Sequence, residues 1–253
     1  MKKRFFSLAA AVLFAVSGVM AQNAFKGIVK YKVESTGTTA MTIPEAAATA
    51  EIRVDGNDLF TKSAIFLMNY MGAECVLVNN LRTTVCMDLS QIVGYLRSQG
   101  SEFDYQGSGK ILVKDESKPS DFDSLEIKDT EPGHFYYEYV AGETKEIAGK
   151  TAKKMIRHMY DEDGADHPMV MWYSDEIGPK INVLFNGIKG MPLECTIDAG
   201  EGRAITYTAT EVVNGKVKEA DFLLPDGYDT MGEEDLKTFF EQLQEEIELL
   251  QGE

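Results

Sequence analysis

The chain carries three histidines, His134, His158 and His167, so any imidazole-based acid, base or metal site must use one of them. It contains no Gly-x-Ser-x-Gly turn and no His-Glu-x-x-His pair, so neither a strained nucleophilic serine nor a helical zinc site is encoded. Gly149-Lys150-Thr151 ends like a phosphate-cradling loop. That loop needs a glycine five residues before Gly149, where Thr144 stands, and the preceding residues alternate as a strand does. The densest ligand-like cluster is Asp161, Glu162, Asp163, Asp166 and His167, and oxygen-rich loops of this kind can hold calcium. Counted from Asp161, however, the fifth position is Ala165 and the sixth is Asp166 instead of glycine. Turn chemistry explains the same residues as a polar tip between two strands. No catalytic residue, metal ligand or cofactor site is assigned, and the expectation is a protein that is not an enzyme.

The apolar side chains say more. Past residue 21 the chain holds ten methionines, Met41, Met68, Met71, Met87, Met155, Met159, Met169, Met171, Met191 and Met231. Unbranched, polarisable side chains fill irregular space and adapt to varied ligands. Period-two spacing puts Met155 with Met159 on one strand face, Met169 with Met171 on another, and Phe135, Tyr137 and Tyr139 on a third. A sheet lined this way can curve around an apolar ligand, and Phe135, Tyr137, Met155, Met159, Met169, Met171 and Trp172 are the candidate ligand-binding residues. Ordinary core packing accounts for the same residues without a ligand.

These residues must be positioned by strands. Alternating apolar stretches run over 27–33, 50–54, 59–66, 74–78, 83–87, 110–114, 135–140, 152–160, 169–173, 193–198 and 204–213. Turn residues separate them, among them Asp55-Gly56-Asn57, Asn79-Asn80, Asp163-Gly164 and Asn214-Gly215. Short connections imply antiparallel pairing, because parallel strands need long crossovers. Two helices are expected: one over 88–98, weakened by Gly94, and one from about 231 to 251. In the second, Thr230 and Glu233 fit a capping box, and Leu236, Phe239, Phe240, Leu243, Ile247 and Leu250 form a stripe opposite Glu241, Glu245, Glu246 and Glu248.

Residues 1–21 stand apart. Lys2, Lys3 and Arg4 precede an apolar run from Phe5 to Val16, and small residues lead to Ala21, the pattern of a secretory signal peptide cleaved before Gln22. The run is shorter than the ~20 residues a spanning helix needs. The first cysteine is Cys75, so no lipid-attachment cysteine follows the cleavage point. The expectation is a periplasmic or exported protein, soluble after cleavage and not a lipoprotein, with residues 22–253 forming one β-rich domain. Loss of the three leader cations leaves 22 basic against 41 acidic residues, net −19, which argues against binding nucleic acid or anionic vesicles, and no later stretch is apolar for long enough to span a bilayer, so no stable membrane insertion is expected. Cys75, Cys86 and Cys195 are odd in number, so at least one thiol stays unpaired in a monomer. A hairpin turning through Asn80-Leu81 sets Cys75 opposite Cys86; one turning through Asn79-Asn80 sets Cys75 opposite Thr84 and leaves the pair diagonal.

Gly27-Ile-Val-Lys-Tyr31, Glu143 to Lys154, Val170 to Ile177, Gly190-Met-Pro-Leu-Glu194 and Phe222 to Tyr228 follow one another in an order that resembles an envelope family of Gram-negative, Bacteroidetes-type bacteria, domain of unknown function 4412, a distant relative of the GLPGLI proteins. In place of the GLPGLI signature the chain has Phe185-Asn-Gly-Ile-Lys-Gly-Met-Pro-Leu193. The resemblance implies a fold like that of the periplasmic lipoprotein carrier LolA: an incomplete antiparallel barrel, helices at its open side, and an apolar cavity. It implies no catalytic residues. The combined expectation is a mainly β (α+β) protein with a curved antiparallel sheet, a middle helix and a C-terminal helix. Its partner would be a lipid or lipidated ligand or, if the core is simply filled, another envelope protein.

Overall fold

Alternation builds the first strand, β1 (Lys26–Gly37), where Val29, Tyr31 and Val33 are buried while Lys30 and Lys32 face solvent. β2 (Thr49–Asp55) repeats this pattern, whereas β3 (Asp58–Thr61) and β5 (Arg82–Asp88) are buried on both faces, flanking β4 (Ala73–Asn79) and followed by β6 (Lys110–Glu116). The remaining long strands are β7 (Phe135–Ile147), β8 (Lys150–Met159), β9 (Met169–Ser174), β10 (Met191–Gly200) and β11 (Arg203–Asn214). The computed structural model describes residues 24–38, 40, 42–63, 73–100, 105–200 and 202–251. The expected leader, Met41, Met68, Met71 and the end of the strand expected over 59–66 lie outside them.

These strands and a twelfth, β12 (Asp229–Met231), join one open, curved sheet, in the order β12-β6-β5-β4-β3-β2-β1-β11-β10-β9-β8-β7. Two meanders, β1 to β6 and β7 to β11, are thus welded by the long antiparallel pairing of β1 with β11. Register shifts at Lys30/Tyr31, Ala73/Cys75 and Tyr139/Thr144 mark bulges, which bend and twist a sheet. The curl brings β7 back towards β11. One side chain set, from Val29 and Tyr31 through Ile52, Leu59, Val76, Met87 and Ile111 to Met155, Met191, Leu193 and Tyr207, forms the main core. A second, smaller core of Phe60, Cys75 and Cys86 lies on the opposite face of β3 to β5, under Phe222, Leu224 and Tyr228.

The β4–β5 turn runs through Asn80 and Leu81, both left-handed at φ +48° and +65°. Left-handed backbone costs a residue such as leucine roughly 1–2 kcal/mol. The resulting register pairs Val76 with Val85 and Cys75 with Cys86, whereas the Asn79-Asn80 turn would face them with threonines, so cross-strand packing decides the turn.

Helix α1 (Ser90–Ser98) buries Leu89, Val93 and Leu96, and the Asp88 carboxylate accepts the Ser90 backbone N–H at 2.9 Å at its start. A Cβ at Gly94 would meet nothing within 4 Å, so that glycine is an unhindered surface position. Helix α2 (Glu233–Gln251) starts two residues later than its spacing predicts. Thr230, the expected cap, lies instead in β12 (Asp229–Met231), which pairs with β6 and is the sheet's one parallel partnership among the described residues. Three residues are too few for period-two alternation to announce a strand.

Candidate functional site

Six of the seven candidate residues share one face of the sheet. Phe135 pairs with Met159, Tyr137 with Arg157, Met155 with Met171 and Arg157 with Met169, and directly opposed residues project to the same side. The three faces that spacing alone separates are therefore one. Trp172 is the exception: it pairs with Lys154 and Glu194 and lies on the reverse face. Tyr137, Met155 and Met171 belong to the core, at 3%, 0% and 5% exposure, and Phe135, Met169 and Trp172 pack half-buried against it. Burial pushes the Tyr137 phenol well above its ordinary range.

An open groove lies where two strands part. Pairing between β9 and β10 runs from Met191↔Ser174 to Cys195↔Met171 and stops. Beyond it Met169 and Val170 face Thr196, Ile197 and Asp198 across a groove of about 770 Å³, which is within the range of small-molecule sites. Met159, Pro168, Met169, Val170, Trp172 and Ile197 give it apolar walls, and Arg157, Asp166, His167, Glu194 and Asp198 give it a polar rim. Because the groove sits at a strand end, it gathers side chains from both faces, and this is how Trp172 joins Met159 and Met169. Lys145 bonds Glu194 at 2.7 Å and places its ammonium 4.4 Å from the Trp172 ring centre, closing one flank.

The acidic tip expected between β8 and β9 forms the other flank. The Asp161 carboxylate accepts the backbone N–H groups of Asp163 and Ala165, an Asx turn, and Tyr160 bridges to Asp166. His158 stacks on Tyr136 at 4.8 Å and bonds Asp166 at 2.7 Å, and His167 bonds Asp161 at 2.7 Å. That hydrogen bond holds Asp161 below, and His167 above, their ordinary values. The His167–Asp161 pair is thus ionic between those two values. It is lost as pH rises through the raised His167 value, or falls through the lowered Asp161 value. A proton NMR titration of His167 is expected to show a midpoint above 6.5, and Asp161→Asn should return it towards 6.5. An unmoved midpoint in the variant would show that the pair does not form in solution.

Asp129, Glu131 and His134 also bring one ligand atom each within 4.8 Å of one another. The His134–Asp129 bond at 2.9 Å accounts for that arrangement without an ion. Arg157, Pro168 and Ile197 are groove residues that no sequence spacing announces, because the parting of β9 from β10 depends on register and leaves no local signal. Asp166 and His167 were visible, but as a turn.

No family model matches the chain, and no curated protein matches it. Among solved structures, the lipoprotein LppX of Mycobacterium tuberculosis aligns at 13% identity over 78% of this chain and 92% of that one, with a TM-score of 0.26. A LolA superfamily protein from Nitrosomonas europaea aligns at 9% identity over 79% and 91%, with a TM-score of 0.32. MucB aligns at 15% identity over 81% and 58%, with a TM-score of 0.30. Among the described residues no helix is long and apolar enough to cross a membrane.

Proposed function

We propose that the protein is a non-enzymatic binding module of the cell envelope that takes an acyl chain or a lipidated segment, with the groove between β9 and β10 as its entry. The observation that carries this reading is that groove: apolar walls, a polar rim and about 770 Å³ of space, with three independently nominated residues, Met159, Met169 and Trp172, around it. Export by a cleaved leader remains part of the proposal.

Trp172 is the only tryptophan, so its emission reports the groove without interference. Titration of delipidated protein with a long-chain fatty acid brominated on its tail is expected to quench that emission saturably. Val170→Glu, at a groove position already 43% exposed and so tolerant of a charge, should weaken the binding about tenfold or more, the cost of a charge set against an apolar wall. No saturable quenching with any chain length would overturn the reading.

One observation favours a second reading. Tyr137, Met155 and Met171 are packed into the core, as in an envelope interaction or structural protein whose sheet encloses only its own side chains. Native mass spectrometry of protein from its own compartment separates the two: a co-purifying lipid supports the module, and a stoichiometric protein partner supports the alternative.

A further inference from the structure

We propose that Cys75 and Cys86 are an oxidisable pair that closes as a cross-strand disulfide on the outer face of the sheet, while Cys195 stays a thiol. The proposal stands whether or not the groove takes an acyl chain.

The β4–β5 register sets Cys75 directly opposite Cys86. Counted from the two-residue turn, Asn79↔Arg82 is a hydrogen-bonded pair and every second pair after it is another, so Cys75↔Cys86 is hydrogen-bonded too. Such pairs hold their Cα atoms about 5.5 Å apart, inside the span a disulfide bridges. Both side chains belong to one small core and sit at 1% and 0% exposure. The Cys86 thiol hydrogen-bonds the Cys75 sulfur, which favours Cys75 as the thiolate, helped by the charge of Lys62, and pushes Cys86 up. Cys195 is out of reach. It lies in the main core on the other face, 3.2 Å from the Met169 sulfur, with burial pushing its thiol up to about 11. In the strand order β10 is five strands from β4, about 24 Å at ordinary strand spacing.

The pair is covered. Phe222, Leu224 and Tyr228 pack over Phe60, Cys75 and Cys86, with the Phe222 ring 6.5 Å from that of Phe60. Arg53 lies 3.6 Å from the Asp221 carboxylate, and the Tyr228 hydroxyl donates to Glu74. This strap leads straight into β12 and α2. Oxidation therefore belongs before the strap docks, and the oxidant is a small disulfide or an oxidised dithiol protein. The Cys75 thiolate attacks one sulfur of that disulfide, forming a mixed disulfide and releasing the first thiolate. Cys86 then gives up its proton to the released thiolate and attacks the Cys75 sulfur, expelling the second thiolate, which takes a proton from water. Two protein thiols lose two electrons and two protons, and the external disulfide becomes two thiols. Once the strap closes, the bridge is shielded from reductant.

The test refolds the full chain, reduced and denatured, in a glutathione redox buffer, quenches it with acid and alkylates it under denaturing conditions. The expected product carries one alkyl group, on Cys195. Trypsin cuts at Lys62, Arg82 and Arg97, so it should release the peptides 63–82 and 83–97 still joined. The oxidised form should melt about 5 °C above the reduced form. Cys75→Ser should return two alkylated thiols, and Cys195→Ser none. Three alkylated thiols in the wild type, or a bridge through Cys195, would overturn the proposal. For the shield, Phe222→Ala with Leu224→Ala is expected to speed reduction of the bridge by dithiothreitol at least tenfold, by opening access. Equal rates would overturn the shielding while leaving the wild-type alkylation count to judge the bridge itself.

Discussion

Tyr31→Ala is expected to lower the unfolding free energy by about 4 kcal/mol, among the larger effects of any single substitution in this sheet. Tyr31 is 1% exposed on β1, its ring meets that of Tyr207 on β11 edge to face at 5.9 Å, and its hydroxyl donates to the Pro192 carbonyl on β10 at 2.9 Å. One side chain therefore spans three adjacent strands at the weld between the two meanders. Removing it leaves a cavity that neighbours held by ladder hydrogen bonds cannot collapse into, and it leaves a buried carbonyl without its hydroxyl partner. Tyr31→Phe keeps the ring and loses only the hydrogen bond, so it should cost about 1 kcal/mol. Urea denaturation of the three proteins, with slopes compared, would check both values. A loss below about 1 kcal/mol for the alanine variant would mean that the meanders hold together without this contact.

How far the sequence shows such features depends on how local their causes are. Each expected period-two stretch overlaps one of the eleven longer strands within the described residues, although β3 and β5 are buried on both faces. The helix of 90–98 is legible from Val93 and Leu96, despite a glycine that faces open space. What was hidden is nonlocal. The three residues of β12 carry no period, and their parallel pairing to β6 exists only because the strap of 219–228 returns the chain there. Trp172 shares a stretch with Met169 and Met171, but a single step from Met171 puts it on the opposite face. The groove needs the point at which β9 stops pairing with β10, past Cys195↔Met171 and beyond a register shift between Pro192 and Glu194. Composition nominated the right strands, and register decided which of their side chains meet.

Deleting the chain from Gly232 onward is expected to lower the melting temperature by about 10 °C or more and to promote aggregation. Helix α2 buries Phe239 and Leu243 at 3% and 2% exposure, and Phe239 meets Tyr105 edge to face at 4.9 Å. Burying two such side chains is worth roughly 3–6 kcal/mol, enough to decide the fate of a protein whose whole margin is usually 5–15. The described stripe does not sink uniformly. Leu236 and Phe240 remain half-buried beside Glu234 and Lys237, along an open cleft of about 560 Å³. The helix is thus anchored by its middle and loose along one flank, an arrangement suited to an element that seals the sheet yet can give way. Replacing the anchor, Phe239→Ala, should reproduce much of the truncation's loss. Replacing the flank, Leu236→Ala with Phe240→Ala, should cost far less stability, and if α2 borders the ligand path it should alter fatty-acid uptake more than melting. A melting temperature unchanged by truncation would show that Phe239 and Leu243 are not docked in solution, and the helix would then be an arm free to meet another protein.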